Sequence, residues 1–183
     1  AVFYAVLGDD QVVAQLCVST FHGFLALGGW LLFRRWLNFW WAGTAAVVLA
    51  AAPVVALWGR QVMLEIPTLA FALWSLHFLF RHVETGRIWN LTLSLILFLA
   101  AIYTKISICF LGAVFLFVLW RAYGLRELLR PRYLILAAAF LVLLVPLAVL
   151  TLKFGQANIQ SVTGIQDHNV ERWSIEGWLW YLR

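Results

Sequence analysis

Charge is what this chain has least of. Only 11% of its 183 residues are Asp, Glu, Lys or Arg, against about 25% in an ordinary soluble domain. At the same time 64% are hydrophobic, with 11 Trp and 14 Phe and only 4 Pro. No soluble core of this length can hide so much apolar surface, so the solvent must be lipid. Cysteine is also scarce. Cys17 and Cys109 both lie in apolar runs, which reads as packed or lipid-facing thiols and implies no disulfide or metal-binding framework. No HExxH, paired CxxC, Walker loop or GxSxG elbow is present. The net charge of +5 does not point to nucleic acid. In a membrane protein such an excess sets orientation and meets anionic lipid headgroups.

The chain opens at Ala1 without an initiator Met, directly into "AVFYAVLG", and stops inside "GWLWYLR". It reads as a piece of a longer membrane protein, cut at both ends, with no signal peptide to discount. What is present is a series of apolar runs. A spanning helix needs roughly 20 such residues. Val12 to Phe33, Asn38 to Trp58, Val62 to Phe80 and Tyr133 to Thr151 each qualify. Ile88 to Trp120 is a 33-residue run interrupted only by Lys105.

If that run were one helix, "RAYGLRELLRPR" would lie opposite Arg34-Arg35 and "RHVETGR". If the chain turns back at Lys105, one face holds Arg34, Arg35, Arg81, Arg87, Arg121, Arg126, Arg130 and Arg132, eight of the 13 cationic residues. Cytoplasmic loops carry such an excess, so the hairpin is favoured and this face is inside. The expected fold is an all-α polytopic bundle of about six spans. Residues 1–154 form its membrane core, and 155–183 an outer-face loop leading to an interfacial or membrane segment. The hairpin arms, Ile88 to Thr104 and Ile106 to Trp120, hold 17 and 15 residues. At 1.5 Å each they reach roughly 22–26 Å, short of the ~30 Å hydrocarbon core. Lys105 must therefore snorkel or pair with an anion.

Three ionisable groups then meet the outer boundary: Arg60, Glu65 and Lys105. Each has an ordinary reading. Arg60 can be an interfacial anchor, Lys105 a snorkelling lysine, and Glu65, two residues before Pro67, a carboxylate in a first helical turn. Together on one face they form a candidate site. His22 and His77 lie within spans and suit helix–helix hydrogen bonds. His82 belongs to an inner loop and is expected to be solvated. His168, beside Asp167 and Glu171, is a weak metal candidate, as is Glu65. Asp9-Asp10 reads as a turn or cap. Trp173, Trp178, Trp180 and Tyr181 suit an interface.

These residues carry a resemblance. "LGDDQVVAQLCVSTFHGFLALGGWLLFRRW" is similar to the second span of the GT-C membrane glycosyltransferases, which include aminoarabinose transferases and protein O-mannosyltransferases of the dolichyl-phosphate-mannose-dependent type. "GRQVMLEIPTLAFALWSLHFLF" resembles their outer-face Arg…Asp/Glu motif, and "LFLAAIYTKISICFLGAVFLFVLW" their Thr-Lys segment, in matching order. The resemblance covers nearly the whole chain and thins after Phe154. It implies transfer of a hexose or pentose from a polyprenyl-phosphate carrier to a lipid, glycan or protein acceptor. Transfer takes place at the outer (in a bacterium, periplasmic) face by inverting displacement. It also implies that the principal catalytic base lies in a first outer loop before Ala1, so this piece alone is expected to be inactive. Glu65 matches the second acidic motif, which shapes the metal, donor or acceptor site, and Lys105 the motif lysine.

The chemistry suits these positions. A phosphate leaving group at membrane depth calls for a cation, which Arg60 or Lys105 supplies. A nearby carboxylate can orient sugar hydroxyls or hold a divalent ion. The alternative is a multi-span transporter or lipid-handling protein, whose broken helices also carry midplane charges. A third reading, a structural subunit, requires Glu65 and Lys105 to face away from each other.

Overall fold

The computed structural model describes residues 11–60 and 64–163, without the side chains at 11, 58, 60 and 154–163. Every regular element among the described residues is a helix. These are α1 (Gln11–Phe33), α2 (Phe39–Ala51), α3 (Pro53–Arg60), α4 (Glu65–Thr85), α5 (Ile88–Thr104), a 3-10 turn (Ile106–Phe110), α6 (Leu111–Leu128) and α7 (Pro131–Thr163). In lipid no water can take up a stray N–H or C=O, so apolar runs fold with their backbone bonds closed internally. Val12–Phe33, Ile106–Leu128 and Pro131–Lys153 are long and apolar enough to cross a membrane, and Phe39–Ala51 and Ile88–Thr104 are shorter apolar helices. The architecture is the expected all-helical membrane bundle.

Two compact units make up the chain, Ala1–Leu143 and Leu144–Arg183. The first holds α1 to α6 and the opening turns of α7; the described part of the second is the remainder of α7. Helix α7 runs on to Thr163.

The run from Asn38 to Trp58, expected as one span, is two helices. Pro53 has no N–H and disfavours a helical conformation at the residue before it. Ala52 accordingly leaves the helix, at φ −53° and ψ 133°. His22 of α1 then donates from Nε2 to the Ala50 carbonyl at 2.9 Å, which is the helix–helix bond expected of it. The α3 backbone lies against the same ring: a Cβ at Gly59 would come within 2.7 Å of His22 Nδ1.

Helices α1 and α4 pack through small residues. A Cβ at Gly28 would meet Trp74 Cδ1 at 2.7 Å. Trp74 stacks on Phe24 at 4.7 Å and donates its indole N–H to the Phe24 carbonyl at 2.9 Å. Between α4 and α5 the buried Ser94 hydroxyl donates to the Ser75 carbonyl at 2.7 Å. Lipid tails are as apolar as leucine, so such close approach and buried polar bonds hold membrane helices together.

The chain does turn back at Lys105. Phe98 of α5 stacks on Phe115 of α6, with centroids 4.7 Å apart and planes at 18°. In one continuous helix a separation of 17 residues would place them about 25 Å apart. The other face of Phe98 stacks on Phe140 at 5.6 Å.

The arginine-bearing turns gather at one end of this unit. Arg35, after α1, pairs with Glu84 and donates to the His77 carbonyl at 2.9 Å. Tyr123 of α6 donates to the His82 carbonyl at 2.9 Å, and Tyr133 of α7 reaches His82 Nε2 at 3.3 Å. Gly86 ends α4 at φ 66°, and Gly124 breaks the helical conformation inside α6 at φ 74°. Both values suit a residue without a Cβ.

His82 is a correction: it is fully buried, not solvated. Its Nδ1 donates to the Arg87 carbonyl at 2.9 Å, so Nε2 is free to accept from Tyr133. His77 lies against Trp74 and Phe78, with Nδ1 buried and unpartnered.

Phe98→Ala should lower the unfolding free energy of the full-length protein in detergent by roughly 1–3 kcal/mol. That is less than the ~3–5 kcal/mol seen in soluble cores, because only packing is lost and no transfer from water. An unchanged unfolding midpoint would mean that the hairpin does not depend on this stack.

Candidate functional site

Glu65 is the first residue of α4. Its carboxylate faces the positive end of the helix, and Pro67, still in the first turn, has no N–H to leave unsatisfied. Thr68 closes that turn by donating to the Leu64 carbonyl through its N–H at 3.1 Å and its hydroxyl at 2.7 Å. Ile66, Pro67 and Thr68 are buried. Ile66 joins Val18, Leu25, Val55 and Ala70 in a core between α1, α3 and α4. The helix start is thereby fixed, with Glu65 left at its rim.

Lys105 is placed by the break in the long run. Its N–H still bonds the Ala101 carbonyl at 2.9 Å, but its backbone is extended, at φ −153° and ψ 114°. The 3-10 turn begins immediately, with Ile108 N–H on the Lys105 carbonyl at 3.2 Å. An extended residue between two helices aims its side chain away from both ladders. Its ammonium donates to Glu65 Oε1 at 2.5 Å, across 40 residues of sequence. Nearby, Tyr103 donates to the Leu143 carbonyl at 2.7 Å and ties α5 to α7.

The pair lies at the end of the unit opposite the arginine turns, since α4 begins at Glu65 and ends at the Glu84 side, and α5 runs back from there to Lys105. The lysine side chain is 42% exposed and the glutamate 24%. At such exposure an ion pair contributes about 0.2–1 kcal/mol. That is too little to hold α4 against α5, which the Ser75–Ser94 packing already does. It is also little to give up when an incoming anion competes for the ammonium.

The described acids at the opposite end are paired with arginine: Glu84 with Arg35, and Glu127 with Arg130 at 2.9 Å and with Arg132. The Glu127 pairs are local in sequence, whereas the pairing of Glu84 with Arg35 was not legible because it depends on how neighbouring helices are rotated. The same holds for the partner of Glu65. Of the two boundary cations, Lys105 is the one the structure brings to it. Arg60 closes α3, and its side chain lies outside the described set. His168, Asp9 and Asp10 lie outside the described residues.

A divalent ion is not supported by this arrangement. Glu65 is a single carboxylate already holding an ammonium, and no group of three or more His, Cys, Asp or Glu side chains converges among the described residues. Hard cations take several oxygen ligands.

The geometry defines a helical membrane bundle with a charged pair where two of its helices start and stop. The family model for dolichyl-phosphate-mannose-protein mannosyltransferases matches residues 1–151, and the chain belongs to that family. Comparison with curated proteins and with solved structures gives no significant match.

Lys105 and Lys153 are the only two lysines, so modification at Lys105 is easily read by peptide mapping. Glu65→Gln should speed acylation of Lys105 by an amine-reactive reagent several-fold, because the carboxylate no longer holds the amine. An unchanged rate would show that the pair does not persist in solution.

Proposed function

We propose that this chain is the core of an integral-membrane mannosyltransferase. It takes the sugar from a polyprenyl-phosphate carrier and passes it to a hydroxyl acceptor, a protein by the family's description, on the face opposite the arginine-rich turns. That face is the outer one by the distribution of positive charge. The observation that carries the reading is the contact between Lys105 and Glu65 at the rim of the bundle.

The roles follow from charge. The acceptor oxygen attacks the anomeric carbon, and the bond from that carbon to the phosphate oxygen breaks. The electron pair stays on the carrier phosphate, which leaves as polyprenyl phosphate. The sugar configuration inverts. Negative charge grows on the phosphate as the bond breaks, and a fixed cation at that point stabilises the transition state more than the ground state. Lys105 is assigned that task. Glu65 keeps the ammonium in place before the donor arrives and then turns to the sugar or acceptor hydroxyls. The acceptor proton passes to a carboxylate base, which the family resemblance puts in the first outer loop.

The weakness of the pair supports this reading. Exchange of one anion for another on Lys105 costs little, whereas a deeply buried, fully satisfied pair would resist it. A structural subunit would have no need to bring these two side chains together.

The test is mannosyl transfer from polyprenyl-phosphate-mannose by the full-length protein in proteoliposomes. Lys105→Ala should lower kcat/KM for the donor by about 10²-fold or more, with Lys105→Arg retaining part of it, and Glu65→Gln should lower it about tenfold or more. Near-wild-type transfer by Lys105→Ala and Glu65→Gln alike, at normal expression, would sink the assignment.

A further inference from the structure

The turn between α1 and α2 takes no part in the site above. Beside it, α1 and α2 line an apolar groove of about 630 Å³, walled in part by Leu27, Trp30, Phe39, Trp40, Gly43 and Val47. That volume falls within the ~300–1,000 Å³ of small-molecule sites. Trp30 and Phe39 meet edge-on at 5.5 Å. The Arg34 guanidinium lies over both rings, 5.3 Å from the Trp30 centroid and 5.6 Å from that of Phe39. The same two rings therefore wall the groove and seat a cation at its end.

Arg35, next to Arg34, is held by Glu84, whereas Arg34 has no ion-pair partner among the described residues and is seated on the two groove rings. Beside it Trp40 is 79% exposed and Trp41 65%. Indoles at this density mark the depth of the lipid headgroups.

We propose that the groove binds one anionic phospholipid, with an acyl chain between α1 and α2 and the headgroup phosphate on Arg34. The charges match: an unpaired guanidinium at the arginine-rich end of the bundle faces the leaflet in which anionic lipids concentrate. Two rings already fix the cation, so little side-chain freedom is lost on binding. A phospholipid brings an apolar chain and an anion in one molecule. An apolar helix from another protein would fill the groove but leave Arg34 desolvated without a counter-charge, which is costly.

Native mass spectrometry of the full-length protein, released from nanodiscs of equal phosphatidylglycerol and phosphatidylcholine, tests this. One phosphatidylglycerol should survive the activation that strips loosely held lipid, at about tenfold preference over phosphatidylcholine. Arg34→Gln should abolish the preference, Arg34→Lys should keep most of it, and Arg121→Gln, at the same end but away from the groove, should leave it unchanged. A Cβ at Gly43 would enter open space, so Gly43→Leu fills the groove without strain and should remove the bound lipid of either kind. Val47→Phe, at an exposed groove wall, should do the same if Gly43→Leu fails to fold. Equal retention of the two lipids by wild type would overturn the proposal. So would equal losses in Arg34→Gln and Arg121→Gln, retention in a folded groove-filling variant, or a co-purifying polypeptide in place of the lipid.

Discussion

A single lysine organises the bundle. The run from Ile88 to Trp120 is long enough to cross a bilayer once with residues to spare. Lys105 sits at its middle, where a charge costs at least about 2.5–3.5 kcal/mol at the hydrocarbon centre. The chain avoids that cost by breaking its helix there and bringing the ammonium to a boundary. The rest follows from this turn. The arm α6 folds back so that Phe115 stacks on Phe98 of α5. The arginines after α6 come to the end where Arg35 already meets Glu84, through the bonds of Tyr123 and Tyr133 to His82. Glu65, at the start of α4, is left at the other end beside the lysine.

Much of this was legible in the sequence, because it depends on length, hydropathy and charge. The apolar runs gave the helices, and the arginine distribution chose the hairpin over the single helix. What was not legible depends on helix rotation and on tertiary contact. His82 sits among arginines in a polar stretch and reads as solvated, yet α6 and α7 bring two tyrosines over it and bury it. Glu84 is held by Arg35, 49 residues away in sequence, which only the packing of α1 against α4 brings about. The division of the second span is different. Pro53 is a visible sequence signal for it, inside a run that is otherwise apolar.

In the candidate site, Glu65 and Lys105 were legible as boundary charges, but the contact between them was not. Sequence spacing put Arg60, Glu65 and Lys105 near one boundary. Which cation faces Glu65 depends on the extended backbone at Lys105, which no periodicity predicts. The resulting pair is half-exposed and weak by the standards of a stabilising interaction. The packing of small residues between α4 and α5 does the holding, and the charges are left able to change partners.

The central claim is that Lys105 exchanges Glu65 for the phosphate of the sugar carrier. It is tested most directly by a structure of the full-length protein with a non-transferable polyprenyl-phosphate-mannose analogue bound. The account predicts a phosphate oxygen within about 2.7–3.2 Å of Lys105 Nζ, with the Glu65 carboxylate moved onto the sugar or the acceptor pocket. A phosphate bound elsewhere, with the contact between Lys105 and Glu65 intact, would contradict it.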